Sequence, residues 1–348
     1  MKEVFAKRLK SARTLAGLSQ DELVKRIEGL VTKNAIAKYE RGDMMADGKV
    51  LIALANALNV KPDYFFRPFT VEIENIEFRK KSKLPVKKVK SIKQKITDIV
   101  ERYLEIEEFL GIESSFSNPI ADLQILTQED VESAVESLLK AWDLGFNALP
   151  NVIELLEDHE IKVIEIGESD DFAGFSGFAD GKYAIIVVNK HYTIERKRLT
   201  ALHELGHLLL NFHHELTQRE KESLCYQFAG AMLLPRETIR KELGKERSRI
   251  SMHELIAIKE NYGISVQAIM HRAKSLGIIS DFVYLNFRKM ISNNRSEAGM
   301  GKYEGKEQSG RFKQLLFRAA AEEIISMSKA ANLANMKLAE FRREMSLV

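Results

Sequence analysis

The first sixty residues carry apolar side chains at a helical period, interrupted by small residues. Phe5, Leu9 and Ala12 recur three to four positions apart, as one face of an amphipathic helix requires. Ser19 and Thr32 stand where the N-caps of two further helices are expected. The pattern predicts helices near residues 4–16, 20–27 and 33–41 and within 48–59. The glycines that separate them are Gly17, Gly29 and Gly42.

Residues 69–119 show a different pattern. Residues 69–78 alternate apolar and acidic side chains, which predicts a short strand or hairpin. Residues 79–95 then contain nine Lys and Arg and no acid. Because the apolar positions in and after this run keep a helical spacing, we interpret the charges as the solvated face of a linker helix rather than a track along DNA phosphates. The helix is expected to continue to residue 110, and the turn-rich residues 111–119 predict a domain junction.

The second half of the chain alternates helix and strand patterns. Amphipathic helices are predicted at 128–144 and 151–159, and β-branched runs predict strands at 161–166 and 183–189. The glycines between these strands, Gly174, Gly177 and Gly181, suggest turns.

Leucines at helical spacing predict the next helix, around residues 198–210, and another is predicted at 220–235. In the latter, Ala229, Gly230 and Ala231 are expected to allow close approach to a neighbouring helix. Residues 292–310 are expected to be a linker or loop, and residues 312–348 a helical tail.

Size and composition limit the class of protein. At 348 residues the chain exceeds one ordinary domain, so two or three are expected. A hydrophobic fraction of 45% with 30% charged residues is typical of soluble globular proteins. The single cysteine, Cys225, excludes a disulfide framework or a thiolate metal cluster within one chain. The sequence has neither a signal-peptide core nor an apolar run of membrane-spanning length, so a cytoplasmic protein without a membrane partner is expected.

The net charge of +3 is unevenly distributed. Residues 1–67 contain 13 Lys and Arg against 8 Asp and Glu, a net charge of +5, which leaves about −2 for the rest. A basic front end on a nearly neutral body predicts that the front alone contacts a polyanion. Short helices, small-residue breaks and a basic third helix indicate a helix-turn-helix, whose second motif helix docks in the major groove of DNA.

Positions within this motif predict the DNA contacts. Thr32, Lys33 and Asn34 head the recognition helix, where base edges are within reach, and Lys38 lies one turn further on. A second pair, Gln20 and Arg41, is predicted to bind phosphate, which positions the domain without reading sequence. For each of these residues a solvated surface role is the alternative.

The same run resembles the lambda repressor-like (Cro/CI, or Xre) domain. The resemblance rests on the segments 18–23, 36–42 and 54–58. It implies a double-stranded DNA operator, and a domain of this kind typically binds two half-sites as a homodimer.

Residues 198–210 carry the strongest chemical signal. His203 and His207 are one helical turn apart, so both imidazoles can point at one metal ion. Glu204 follows the first histidine directly and is placed to accept a proton from a water molecule that the metal activates. The alternative is a core helix that carries two histidines by chance. The apolar flank and an acidic residue downstream favour the metal site.

The spacing offers a histidine and a glutamate as the first candidates for the third ligand. His213 has the spacing of the HExxHxxGxxH motif, but Leu210 stands where that motif needs a glycine to leave the helix. Glu222, on the following predicted helix, can reach toward the metal instead. Two histidines and one glutamate leave a fourth position open to water, as in catalytic rather than structural zinc sites.

The same region resembles the ImmA/IrrE family of zinc metallopeptidases. The resemblance rests on residues 175–189, 196–207 and 228–235 and covers about residues 150–270. It implies that Zn²⁺, with Mn²⁺ as the alternative, is bound by three ligands, and that Glu204 is the general base. The implied ligands are His203, His207 and Glu222.

The chain departs from the family pattern near that third ligand. Many members have Ala-Asn where this chain has Cys225 and Tyr226. Some members place the ligand glutamate directly before the Ala, where this chain has Leu224. Glu220 is therefore the alternative to Glu222.

These observations predict a mainly α protein with a small β-sheet, of the α+β class. A helix-turn-helix DNA-binding domain is expected at 1–67 and a basic linker with a short strand and helix at 68–119. A zincin-like metallopeptidase domain is expected at 120–291, and a linker with a helical tail at 292–348. The tail has no basic recognition helix, so we interpret it as a docking or dimer element.

The predicted function is a DNA-binding transcriptional regulator fused to a zinc-dependent endopeptidase. The family resemblance implies a protein substrate, typically a repressor or antitoxin-like protein. The presence of both parts in one chain adds self-cleavage as a hypothesis. The alternative function is a non-proteolytic repressor or antitoxin that uses the peptidase fold as a sensor or dimer scaffold.

Overall fold

The computed structural model describes residues 1–68, 71, 73–74, 85–169 and 172–345. The chain forms two compact units: unit 1 comprises residues 1–114, 178–182 and 310 onward, and unit 2 comprises residues 115–177 and 183–309. Helices make up 58% of the structure and strands are few, which confirms the predicted mainly α fold with a small sheet. Over the described residues, no helix combines the length and the apolar character needed to span a bilayer.

Unit 1 begins with four helices in the predicted order, α1 (Lys2–Leu15), α2 (Gln20–Arg26), α3 (Lys33–Arg41) and α4 (Gly48–Leu58), and a 3-10 helix (Pro62–Phe66). Ser19 and Glu22 form a reciprocal capping box at the start of α2. The Thr32 hydroxyl accepts a hydrogen bond from the Ala35 amide at the start of α3. The buried apolar side chains of the four helices and the 3-10 helix form one core, which includes Phe5, Leu9, Leu23, Ile36, Leu54 and Phe65.

A long helix, α5 (Val86–Phe109), follows in the same unit. It is the predicted linker helix: Ile92 and Ile96 are buried, and α5 contacts α1. Arg8 of α1 donates a hydrogen bond to Glu101 of α5 at 2.7 Å, with both side chains buried. Of the predicted strand at 69–78, the described part includes β1 (Ile73–Glu74). Residues 79–84 of the basic run lie outside the described residues.

Residues 115–309 alternate helices and short strands. In chain order they form β2 (Gln124–Ile125), α6 (Gln128–Ala141), α7 (Val152–Asp158), β3 (Lys162–Ile166), β4 (Gly174–Ala179), β5 (Tyr183–Asn189), α8 (Ile194–Leu209), β6 (Asn211–Phe212), α9 (Gln218–Leu233), α10 (Arg236–Leu243), α11 (Met252–Tyr262), α12 (Val266–Ser275), α13 (Asp281–Met290) and a 3-10 helix (Ile291–Asn293). The predicted elements are all present, and their ends move by only a few residues.

In the main sheet, β5 lies between β4 and β3. β3 and β5 are parallel, with Lys162 opposite Ile185 and Ile166 opposite Asn189. The turns predicted at Gly174 and Gly177 are wrong, because both residues lie inside β4. A Cβ at Gly174 would lie 2.8 Å from Thr200 and 3.0 Å from the Val187 carbonyl oxygen, so glycine is what lets β4 approach α8 and β5.

Residues 294–309 form a capping segment that is packed into unit 2. It has no regular secondary structure, as predicted for a loop. Its buried Glu307 carboxylate accepts hydrogen bonds from the first two amides of α7, both at 3.0 Å. Its buried Glu297 does the same at the start of α12, at 3.0 and 2.9 Å. A carboxylate at a helix N-terminus satisfies amides that have no partner within the helix and complements the helix dipole.

The tail of unit 1 is helical, as predicted, with α14 (Arg311–Ala321), α15 (Met327–Leu333) and α16 (Leu338–Met345). Its apolar side chains share a core with Tyr103 and Ile106 of α5. Arg102 of α5 also donates a hydrogen bond to the Leu333 carbonyl at 2.8 Å. The tail is thus packed on α5, and its role in dimerisation stays a prediction.

Candidate metal centre and DNA-binding surface

Two helices of unit 2 bring three side chains to one point. α8 carries His203 and His207, and α9 carries Glu222. The two Nε2 atoms are 3.3 Å apart, and the Glu222 oxygens lie 3.6 Å from His203 Nε2 and 3.7 Å from His207 Nε2. Tetrahedral Zn²⁺ with bonds of about 2.0–2.1 Å holds its ligand atoms roughly 3.3 Å apart. The three side chains therefore fit a zinc ion and leave the fourth coordination position open.

The cluster is buried on one side and open on the other. The exposed fraction is 4% for the His203 side chain and 16% for the His207 side chain. Gln218, one turn before Glu222, donates a hydrogen bond to Glu222 Oε1 at 3.3 Å. The half-exposed Tyr226, one turn after Glu222, places its ring 4.0 Å from the His203 ring. Solvent can thus reach the cluster past His207 and Tyr226.

The structure separates the two alternative third ligands from this cluster. The exposed Glu220 accepts hydrogen bonds from the hydroxyl and the backbone amide of Thr217, at 2.6 and 2.8 Å. These bonds hold the pKa of Glu220 below its ordinary value. His213 groups instead with His214 and Glu215 in a more exposed cluster. Among the described residues, Glu222 is the carboxylate that joins the two histidines of α8.

Glu204 lies buried next to the cluster, with 3% of its surface exposed. The Ser176 hydroxyl on β4 donates a hydrogen bond to Glu204 Oε2 at 2.9 Å. A Cβ at Gly174 of the same strand would lie 3.3 Å from Glu204 Cγ. The strand β4 is therefore the wall that orients the Glu204 carboxylate.

Gly206 sets the spacing between α8 and α9. A Cβ there would lie 3.2 Å from Phe228 and 3.4 Å from the Cα of Cys225, so a larger side chain would push the two helices apart. The prediction that Gly230 allows close helix contact is wrong. A Cβ at Gly230 would meet the Arg272 side chain of α12 at an ordinary 3.8 Å.

Two family models match the chain. The helix-turn-helix model matches residues 9–65, and the model of the IrrE N-terminal-like domain matches residues 156–274. The chain is a fusion of these two domains. The second match contains α8 and α9, with every residue of the cluster, and its family is metallopeptidase-like. A search of curated proteins gave no match.

In the helix-turn-helix domain, the predicted contacts of α3 are exposed. Lys33 forms an ion pair with Asp21 at 2.6 Å, and Arg41 forms one with Asp43 at 2.9 Å. More than half of each of these four side chains is exposed. Such pairs contribute about 0–1 kcal/mol, so DNA phosphates can replace the carboxylates at little cost. The remaining predicted residues of the recognition helix, Asn34 and Lys38, are exposed as well.

Gln20 and Thr32 have structural partners inside the domain. The Gln20 amide donates a hydrogen bond to Glu40 Oε2 at 2.8 Å. Glu40 also accepts two hydrogen bonds from Arg13, at 2.5 and 2.9 Å, which ties α1 and α2 to α3. Thr32 caps α3. Their contacts with DNA stay predictions.

The buried anchor of α8 was not predicted from the sequence pattern. Arg198, five positions before His203, is fully buried. Its guanidinium donates hydrogen bonds to the Glu307 carboxylate and to the carbonyls of Leu149 and Tyr262, the last two at 2.7 and 3.3 Å. The capping segment therefore holds the helix that carries the two histidines. Ser176 was missed because no spacing rule links it to Glu204. Gln218 was missed because it precedes the predicted start of its helix at residue 220, although it lies one turn before Glu222.

Proposed function

We propose that the protein is a DNA-binding regulator whose second domain is a zinc-dependent endopeptidase. The observation that carries the proposal is the convergence of His203, His207 and Glu222 within 3.3–3.7 Å, next to a buried carboxylate. Water, an activating ion and an oriented base are the parts that peptide hydrolysis needs. The helix-turn-helix domain supports operator binding, as a homodimer on two half-sites.

The proposed mechanism divides the work between the ion and Glu204. His203, His207 and Glu222 would hold the ion. When bound, Zn²⁺ supplies Lewis acidity, which polarises the scissile carbonyl and lets a water molecule lose a proton near neutral pH. The Glu204 carboxylate accepts that proton, and the resulting hydroxide adds to the scissile carbonyl carbon. Glu204 then returns the proton to the amine nitrogen as the C–N bond breaks. The hydrogen bond from Ser176 fixes the orientation of Glu204 for both transfers.

The proposed substrate is a repressor or antitoxin-like protein that occupies neighbouring DNA. Tethering a peptidase to an operator raises its effective concentration toward proteins bound there, to the millimolar range for short linkers. A second copy of this chain on the adjacent half-site is held at a similarly high effective concentration. We therefore include self-cleavage in the proposal.

The experiment compares the zinc-loaded protein with Glu204→Gln, which keeps the three ligands and removes the base. Each is incubated alone and with the protein encoded next to it, and the products are identified by mass spectrometry. We expect fragments with the wild type and none with Glu204→Gln, at equal zinc content. Intact chains throughout, with operator binding insensitive to chelator, would instead indicate the scaffold function.

A further inference from the structure

A cavity opens beside the proposed metal ligands, between α8, α9, α12 and α13. Its volume is about 520 Å³, within the range of ordinary ligand clefts. Tyr226 is common to the two sites: its ring centroid lies 4.0 Å from that of His203, and the residue is among those that line the cavity. A molecule bound at the metal centre therefore has this cavity within reach.

The spacing along α9 gives the distance. Glu222, Tyr226 and Gly230 are four residues apart and share one face of the helix, which rises about 6 Å per step. An extended peptide advances about 3.3 Å per residue. When the scissile bond of a bound peptide lies at the two histidines, the side chain that is one or two residues further along the peptide thus reaches the cavity beside Tyr226.

Gly230 lines the cavity, and a Cβ added there would meet an ordinary contact among the described residues. It lies in the interior of α9 and is not among the glycines with positive φ. Among the described residues, the one heavy atom that an added Cβ would find within 4 Å is Arg272 Cδ, at 3.8 Å. Glycine inside a helix costs about 1 kcal/mol relative to alanine. The space that the missing side chain leaves is part of the cavity.

The described lining contains three aromatic residues beside uncharged serine and glutamine residues. Tyr284 and His271 form one wall in an edge-to-face pair, with ring centroids 6.0 Å apart, and Tyr226 also lines the cavity. Burial, together with the positive charges of Lys274 and Arg288, lowers the pKa of His271, so its ring is neutral near pH 7.

Arg272, the one Lys or Arg among the described lining residues, is already engaged. It forms a two-point ion pair with the buried Glu132, at 2.8 and 2.9 Å. Among the described residues no carboxylate lines the cavity, so a basic side chain would find no counter-ion there.

We propose that this cavity is the specificity subsite of the peptidase and takes an aromatic side chain one or two residues from the scissile bond. Aromatic rings gain from edge-to-face contact with tyrosine and histidine walls as well as from apolar burial. The inference rests on the proposed peptidase function for the peptide, but the cavity and its ligand class can be tested without catalysis.

The cleavage test is a graded series at Gly230 in the full-length, zinc-loaded protein. Gly230→Leu fills the cavity, and Gly230→Ala is the matched control, which adds one methyl where the structure has room. Cleavage sites in a peptide library are identified by mass spectrometry. We expect the wild type and Gly230→Ala to select an aromatic residue at one position within two of the cut. In Gly230→Leu, kcat/KM for aromatic peptides should fall about tenfold or more while peptides with Ala at that position are still cut.

The binding test needs no turnover. Saturation-transfer NMR compares N-acetyl-phenylalanine amide with N-acetyl-alanine amide on the wild type and on Gly230→Leu. We expect the phenylalanine compound alone to bind, and only to the wild type. Equal binding to both proteins, or cleavage with no aromatic preference, would contradict the proposed subsite but not the proposed peptidase function. Binding of the aromatic compound without cleavage of any peptide would support an aromatic ligand for the cavity and contradict the proposed peptidase function.

Discussion

The predicted recognition helix α3 and the helix α8 of the proposed metal centre hold their polar side chains in opposite ways. On α3, Lys33 and Arg41 are more than half exposed and are paired with exposed carboxylates. On α8, Arg198, His203 and Glu204 are buried and contact groups from several other elements. Exposed pairs exchange partners at little cost, whereas buried polar groups are expensive unless they are held. The proposed DNA surface is thus adaptable, and the proposed metal centre is preorganised.

This contrast predicts the largest effect for a ligand of the metal. His203→Ala removes one of three converging donors, so zinc affinity should fall by more than the 10–100-fold that is typical for losing an outer hydrogen-bond partner of a ligand. Zinc per chain, measured by mass spectrometry after dialysis against a weak chelator, should drop from about one to near zero. His213→Ala is the control and should keep its zinc. Equal zinc in both variants would remove His203 from the metal site.

The second effect concerns the buried anchor of α8. Glu307→Gln leaves the Arg198 charge buried without its carboxylate, and breaking such a pair costs about 3–5 kcal/mol. The free energy of unfolding of unit 2 can be followed in urea through the single tryptophan, Trp142, which stacks on His159 within that unit. Glu304→Gln is the matched control, since Glu304 is 80% exposed and pairs with an exposed lysine.

For that control we expect a loss below about 1 kcal/mol. If the two variants unfold at the same urea concentration, the capping segment does not anchor α8, and the contrast between the two helices loses its structural basis.

A smaller effect is expected at Ser176. Ser176→Ala removes the hydrogen bond to the Glu204 carboxylate, and bonds to charged groups are worth about 1.5–3 kcal/mol. We expect kcat to fall about tenfold or more, with KM and zinc content unchanged, because Ser176 orients the base and holds neither substrate nor ion. Ser176→Thr should restore most of the rate. A change in KM alone would mean that Ser176 contacts the substrate instead.

The same contrast explains what the sequence could predict. Helix ends in unit 1 follow from local signals, such as the capping box of Ser19 and Glu22, which are three residues apart. His203 and His207 follow from helical periodicity. Ser176 and Glu307 lie 28 and 109 residues from the side chains they hold, and no local rule gives such contacts. Gly230 shows a further limit of sequence-based prediction. A small residue indicates space around the helix, but only the fold shows whether a neighbouring helix or a cavity occupies that space.

The smallest effects are expected on the DNA surface. Arg41→Ala should weaken operator binding less than about fivefold, because the ion pair with Asp43 already offsets part of its attraction to phosphate. Asp43→Asn should strengthen binding by a similar factor, since the Arg41 guanidinium then no longer pairs with Asp43 and can pair with a DNA phosphate. Both should act equally on operator and random DNA, and Arg41→Ala should reduce the slope of log K against log salt by about 1. Fluorescence anisotropy over a salt series measures both quantities.

Lys302→Ala is the control for this pair of variants, because Lys302 is an exposed lysine of unit 2 paired with an exposed glutamate. It should leave affinity and salt slope unchanged if the helix-turn-helix domain alone binds the operator. The double variant Arg41→Ala, Asp43→Asn gives the sharper result. Should the two residues act only through their mutual ion pair, Asp43→Asn will have no effect once Arg41 is gone. An unchanged gain in the double variant would mean that Asp43 repels phosphate directly, and α3 would then be less adaptable than its exposed ion pairs indicate.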